Sequence, residues 1–192
     1  HYLLNTFRAE REFDNFDSKN FFSNTFIGVR GTTMKLRGAN FAHGPAAGGV
    51  IGKWVHPAVG IRLGAGLGYW YDNFDSRRVR DINLTADVMF NLMAAIGGYN
   101  PARFVDLSLV AGAGLDHVWK SVLPTETARL RGNALSGHVG LNIDMKVFDN
   151  LSLFVEPQAV LYIAPSSSKG ITLSDAGKRY TLGSNTSVGL AY

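Results

Sequence analysis

Residues 82–115 read INLTADVMFNLMAAIGGYNPARFVDLSLVAGAGL, two apolar runs with Asp87 and Asp106 set inside them. A membrane-spanning helix needs about twenty nearly uniform apolar residues, and these acids interrupt both runs. Taken two apart, the residues sort themselves. Ile82, Leu84, Ala86, Val88, Phe90, Leu92, Ala94 and Ile96 form one set, against Asn83, Thr85, Asp87, Met89, Asn91 and Met93. In the second run Val105, Leu107, Leu109, Ala111, Ala113 and Leu115 oppose Asp106, Ser108, Val110, Gly112, Gly114 and Asp116. A period of two is a strand with one apolar and one polar face. Gly98-Tyr99-Asn100-Pro101 between the runs carries turn chemistry. The stretch therefore predicts a hairpin of unusually long strands.

The same alternation recurs along the 192 residues and predicts eight strands. The others run from Thr25 to Lys35, Gly48 to His56, Ala58 to Tyr71, Ala134 to Phe148, Leu151 to Ala164 and Arg179 to Tyr192. Short connections at His56-Pro57, Gly97 to Arg103 and Asp149-Asn150 alternate with long polar ones. The long ones are Leu36 to Ala47, Asp72 to Asp81, Lys120 to Asn133 and Pro165 to Lys178. In an up-and-down barrel, alternate connections fall at opposite ends, so all the long ones share one end. That segregation marks a transmembrane barrel with short periplasmic turns and longer extracellular loops. The expected fold is an all-β, eight-stranded antiparallel up-and-down barrel over residues 21–192. Residues 1–20 form an N-terminal arm, read equally as a short amphipathic helix or a frayed end.

Composition agrees. Charged residues are 18% of the chain, below the roughly 25% of soluble domains. There is no cysteine, which excludes disulfides and thiolate metal sites. The net charge of +4 is compatible with lipopolysaccharide as well as with nucleic acid. A nucleic-acid surface needs a basic face with interleaved aromatics, and basic residues outside the strands concentrate in two loops, at Arg77, Arg78, Arg80, Arg129 and Arg131. No nucleic-acid partner is expected, whereas lipopolysaccharide phosphate is a candidate contact for those loops.

The faces then assign themselves. The apolar set faces lipid, with Trp54, Tyr69, Tyr71, Trp119, Tyr180 and Tyr192 near its edges as interfacial aromatics. The opposite face combines few charges with many glycines, which suits a lumen only wide enough for side chains to fill. Its basic residues Arg30, Lys53, Arg62 and Arg179 come from strands one, two, three and eight. Its acids Asp87, Asp106, Asp116, Asp144 and Glu156 come from strands four to seven. The two groups face each other across a closed barrel, Lys146 being the exception, and predict a lumen ion-pair network. Pro157 falls within a strand of a barrel that has no free edge, and predicts a bulge or local break.

Several stretches resemble the OmpA-like outer-membrane barrels of Bacteroidota. They are GKWVHPAVGIRLGAG (52–66), DVMFNLMAAIGGYN (87–100), FVDLSLVAGAGL (104–115), FFSNTFIGVRG (21–31) and NTSVGLAY (185–192). The resemblance implies an integral outer-membrane protein with a structural role in the envelope. Many members carry a C-terminal peptidoglycan-binding domain, and this sequence ends at its eighth strand. An alternative is an accessory subunit anchored beside a larger outer-membrane assembly for barrel insertion, secretion or nutrient uptake. A soluble lipocalin-like binder and a small pore are further readings. No catalytic site, cofactor or metal is expected. The five histidines lack metal-ligand spacing, and the Gly64 to Gly68 run lies inside a strand instead of at a phosphate-binding turn. His138 shares a face with Ser136 and Asp144, and reads as a lumen histidine hydrogen-bonded to a carboxylate.

Overall fold

A computed structural model of the protein describes residues 24–36, 41–72, 78–100, 102–120, 131–163 and 180–192. Side chains at 41, 42, 72, 78, 79, 118–120, 131, 132 and 181 are excepted. Eight strands follow in order: β1 (Thr25–Leu36), β2 (Phe41–His56), β3 (Val59–Asp72), β4 (Arg78–Asn91), β5 (Val105–Lys120), β6 (Arg131–Phe148), β7 (Leu151–Ile163) and β8 (Tyr180–Ala191). Each pairs antiparallel with its sequence neighbours, and β1 pairs with β8 to close the barrel. The seam ends in a reciprocal pair of backbone hydrogen bonds between Ile27 and Tyr192. Closure leaves no strand edge exposed.

The alternation decides which way every side chain points. Ile27, Val29, Ile61, Leu63, Leu67, Leu84, Val88, Leu109, Leu115, Leu135, Val139 and Val188 are all exposed on the outside. A water-facing surface does not carry a continuous apolar girdle of this size. The outside is built for hydrocarbon, and strands of 12–18 residues exceed the 9–11 needed to cross it. Among the described residues no helix is long and apolar enough to span a membrane. The crossing is made by strands.

Two elements depart from the sequence expectation. First, β2 begins at Phe41, well before Gly48, and most of the anticipated first loop is strand. Pro45 and Ala47, placed in that loop by the sequence, pair in register with Thr33 and Gly31. Second, β4 stops at Asn91 and Leu92–Gly97 form a short helix, α1. Asn91 caps it, its side-chain oxygen accepting from the Ala94 amide at 2.8 Å. Ala94 is consequently buried, not lipid-facing, and the β4–β5 connection is longer than a tight turn. At Pro157, where a bulge or a local break was expected, the second is found. The β6–β7 register is in step on both sides, but the ladder is interrupted between Gly140–Gln158 and Ile143–Val155. The register shifts fall elsewhere, near Phe41, Trp54 and Lys146.

Inward glycines set how closely neighbouring strands and side chains approach. A Cβ on Gly112 would meet Ala86 O at 2.6 Å and His138 Nε2 at 2.7 Å, besides the Asp87 carboxylate. One on Gly137, which points outward, meets nothing within 4 Å. Gly112→Ala is therefore expected to lower barrel stability by about 1–3 kcal/mol, the usual range for overpacking. Gly137→Ala should leave it near wild type. Urea unfolding of both variants in lipid vesicles checks the pair, and equal midpoints would contradict the face assignment.

Candidate functional site

The lumen is the one concave region enclosed by all eight strands, and it is filled in layers. The end bearing the 57–58 and 149–150 connections is called here the turn end, and the opposite one the loop end. The turn end opens into a cavity of about 400 Å³. Aromatic side chains shape its walls. Phe26 lies over Gly52, Trp54 over Gly60 and Phe154 over Gly189, each on the residue directly opposite in the next strand. A ring over a cross-strand glycine covers backbone that has no side chain of its own.

Above the cavity lies an ionic layer. Arg62 is 2% exposed and Glu156 fully buried. The Arg62 guanidinium donates from Nη1 and Nη2 to the two Glu156 oxygens at 2.7 and 2.8 Å. It also donates from Nε to Asp87 Oδ2 at 2.8 Å, with Nη2 2.6 Å from the same oxygen. Glu156 accepts further from Asn142 Nδ2 at 2.8 Å and Gln158 Nε2 at 2.6 Å. Asp87 Oδ1 lies 2.8 Å from His138 Nε2. One planar fork thus ties β3 to β4 on one side and to β7 across the lumen. Bidentate geometry of this kind is what a guanidinium provides and an ammonium does not.

Past this layer a small polar cavity of about 30 Å³ is lined by residues including Asn83, Thr85, Asp116 and Ser136. The loop end is then stopped by a buried apolar cluster of Met34, Leu36, Trp70, Val160 and Tyr162. Trp70 and Tyr162 meet edge to face with centroids 6.1 Å apart, a favoured aromatic arrangement.

Several of the anticipated lumen charges do not join a common network. Asp106 takes a local partner, Arg103 Nη1 at 3.3 Å, with Asn91 Nδ2 at 3.4 Å. Asp144 accepts from Ser152 at 3.1 Å, and Asp116 from Ser136 at 2.8 Å. Arg30 lines the small cavity but makes no ion pair among the described residues. Lys53 lies on the outer parity of β2, between exposed Ile51 and Val55, so its assignment to the lumen is corrected. Its neighbour Trp54 takes the inward position and lines the turn-end cavity, so it is not an interfacial aromatic. Buried Val50 and Gly52 fix that parity. Arg179 and the Trp119 side chain lie outside the described residues, as do residues 1–20.

Of the remaining aromatics, Tyr69 and Tyr180 are exposed towards the loop end, where Tyr71 stacks on His43 with centroids 5.9 Å apart. Tyr192 and Phe148 are exposed at the turn end. No Ser-His-Asp relay forms on β6. Ser136 turns to Asp116 and His138 to Asp87, so the two belong to separate hydrogen bonds. The aromatic cluster at the loop end was missed in the sequence. Its signal was parity alone, since Trp70 continues the inward series Arg62, Gly64, Gly66 and Gly68, and Tyr162 the series Glu156, Gln158 and Val160.

No protein-family model matches this sequence, and no characterised protein matches it in sequence either. Solved structures do match in shape. Neisserial surface protein A superposes with a TM-score of 0.58 at 11% identity, covering 88% of this chain and 96% of that one. The N-terminal β-barrel domain of Pseudomonas aeruginosa OprF gives 0.53 at 12% identity over 88% and 98%. A major outer membrane protein from Thermus thermophilus gives 0.52 at 16% identity, again over 88% and 98%. The fold is that of an eight-stranded outer-membrane barrel. At these identities the likeness concerns the path of the backbone and says nothing of activity.

Proposed function

We propose that the protein is an integral bacterial outer-membrane barrel with a structural role in the envelope, its lumen closed to passage. In this reading residues 21–192 form the barrel and residues 1–20 an N-terminal arm. The turn end faces the periplasm and the loop end the outside. The resemblance of the quoted hairpin motifs supports an OmpA-like member of Bacteroidota. Outer-membrane lipid is the partner of the apolar girdle, lipopolysaccharide phosphate is a candidate contact for exposed Arg80, and no nucleic acid is involved. The observation that carries the closed lumen is the buried Arg62 fork on Asp87 and Glu156, backed by the apolar cluster around Trp70. Two successive plugs of different chemistry are hard to reconcile with steady conduction. The separate partners of Ser136 and His138 favour a non-enzymatic role.

The test has two steps. The refolded chain should run at shifted mobility on a cold SDS gel and lose that shift on boiling. The same material in a planar bilayer should then give no stable conductance step. A steady open step at neutral pH would replace this reading with that of a small pore.

One observation favours a second reading, an accessory subunit of a larger outer-membrane complex. Ala86, Ala113 and Gly137 pair in one row across β4, β5 and β6 on the outer face. Side chains this small let another surface come close to the strands. Stoichiometric recovery of a partner from mild detergent would support it, and a lone barrel would favour the first reading.

A further inference from the structure

The turn-end cavity has polar walls that are answered and aromatic walls that are not covered. Asp106 is met by Arg103, Asp144 by Ser152 and Arg62 by its two carboxylates, so these charges call for no ion. The rings of Phe26, Trp54 and Phe154 lie along the inner wall. At the rim Phe104 and Tyr192 line the same cavity, yet they are 67% and 68% exposed. Rings gathered round one concave opening form a surface that an apolar occupant would remove from water.

The backbone at the rim is a second, independent observation. Asn24 lines the cavity and takes a φ of 58°, the one positive φ of a non-glycine residue among the described residues. A left-handed residue does not extend a strand. The Asn24 carbonyl still accepts from the Trp54 amide at 2.9 Å. The register of β1 with β2 ends at Thr25, however, while β2 itself runs on to His56. The ladder is thus broken off at the mouth of the cavity. The sequence immediately before Asn24 is FDNFDSKNFFS (13–23), which holds four of the chain's twelve phenylalanines. Each residue spans at most about 3.3–3.6 Å of extended chain, which keeps Phe21 and Phe22 within about 11 Å of Asn24 whatever path the backbone takes. A tether this short sets an effective concentration on the order of millimolar.

We infer that Phe21 and Phe22, followed by Phe16 and Phe13, dock in the mouth of the turn-end cavity, so that the chain covers this end of its lumen with its own residues 13–22. Aromatic side chains bring large apolar area to such a site and pack edge to face or offset against other rings. The occupant is the chain's own segment because of the tether. A second copy, or a free apolar molecule, would have to compete with rings already held at the opening. The polar residues between the two phenylalanine pairs, among them Asp14, Asp17 and Lys19, can stay in water while the rings are buried. The inference does not rest on the closed lumen, whose plugs at Arg62 and Trp70 lie deeper in the barrel. Alternation gave no sign of it, since the period of two begins only with β1. The sequence signal was the density of phenylalanine.

The experiment measures cysteine accessibility in the full refolded chain, which has no cysteine of its own. Ser152→Cys places a thiol on the half-buried cavity wall, and Ala102→Cys places one in the exposed connection before β5, outside that wall. Each is labelled with a charged maleimide, alone and together with Phe21→Ser and Phe22→Ser. Losing the two rings should speed labelling at Ser152→Cys by about tenfold or more, as a tethered cap is released. The rate at Ala102→Cys should not change. An unchanged rate at Ser152→Cys overturns the docking. Cold-gel mobility reports whether the serine variants fold, and a second measurement does not need them. With Phe22→p-benzoylphenylalanine, irradiation of the dilute protein should crosslink position 22 to the cavity wall of the same chain, at Phe154 or Tyr192 among others. Crosslinks between chains would assign the site to a second copy, and capture of detergent alone would leave the cavity to apolar molecules. Either result overturns the inference. Bilayer conductance is read separately, so the closed lumen and the docked segment stand or fall apart.

Discussion

Arg62→Met should destabilise the barrel by about 3–5 kcal/mol, the range for removing one partner of a buried ion pair. The effect arises from what is left behind. Asp87 and Glu156 keep their hydrogen bonds from His138, Asn142 and Gln158, but lose the guanidinium between them. Arg30 is the nearest replacement in the lumen and makes no ion pair among the described residues. The decisive comparison is the triple variant Arg62→Met, Asp87→Asn, Glu156→Gln. It removes Arg62 together with both of its carboxylates; replacing a whole buried ion pair or triad by well-packed apolar residues is often neutral or stabilising, and uncharged isosteres likewise leave no carboxylate stranded without its partner. Most of the lost stability should therefore return. Unfolding midpoints in lipid vesicles measure both steps. If the single variant loses under about 1 kcal/mol, Arg30 has taken the vacant place and the plug does not depend on one residue. If the triple variant is as unstable as the single, the loss is one of packing, not of charge.

The barrel was legible in the sequence because its two solvents differ so sharply. Lipid outside and a crowded lumen inside impose a period of two on every strand. Residues as separate as Ile27, Leu84, Leu109 and Val188 all fall on the predicted side. Element ends were harder to read. The run from Asn91 to Ile96 keeps a strand-like alternation, but Asn91 caps a helical turn, and such a cap depends on local backbone geometry that alternation does not encode. Leu36 to Ala47 read as a long polar connection, yet Gly44 and Ala46 turn inward as strand residues, and a lumen only wide enough for side chains to fill takes small residues on its inner side.

The candidate site was legible to a lesser depth. Inward parity placed Arg62, Asp87 and Glu156 on one surface, and opposite signs on opposite walls suggested that they meet. Parity does not supply height along the barrel axis. Asp106 belongs with Arg103 at the turn end, and Asp116 lies on the far side of the ionic layer, so charges that share a face do not share a partner. Height follows from register, and register depends on the stagger between neighbouring strands. Lys53 and Trp54 failed for a simpler reason. An aromatic next to a charge near a strand end fits the rule that rings sit at the membrane interface. The buried Val50 and Gly52 outweigh that rule, because the register runs unbroken from Ala46 to Trp54 and shifts only after it.

Leu109→Arg tests the face assignment at its most expensive point. Leu109 is 49% exposed on β5, between Phe90 of β4 and Leu141 of β6, in the middle of the apolar girdle. An arginine on the lipid face of a barrel at mid-membrane costs about 2–4 kcal/mol, falling towards zero near the interfaces. A long side chain recovers part of this by reaching for the headgroups, so the lower half of the range is expected if a rim is within reach. The adjacent substitution Ser108→Asn is the control. Ser108 is buried and lines the turn-end cavity, where an amide finds water and polar neighbours. It should cost much less than Leu109→Arg unless the wall is overpacked. Urea unfolding in vesicles gives both numbers, and heat-modifiable mobility shows that each variant folds. Moving the arginine to Phe148 at the turn-end rim should reduce the penalty, because depth in the bilayer governs it. Equal losses at Leu109 and Ser108 would mean that hydrocarbon does not contact the apolar face, and a soluble barrel with an inverted solvent preference would become the better description.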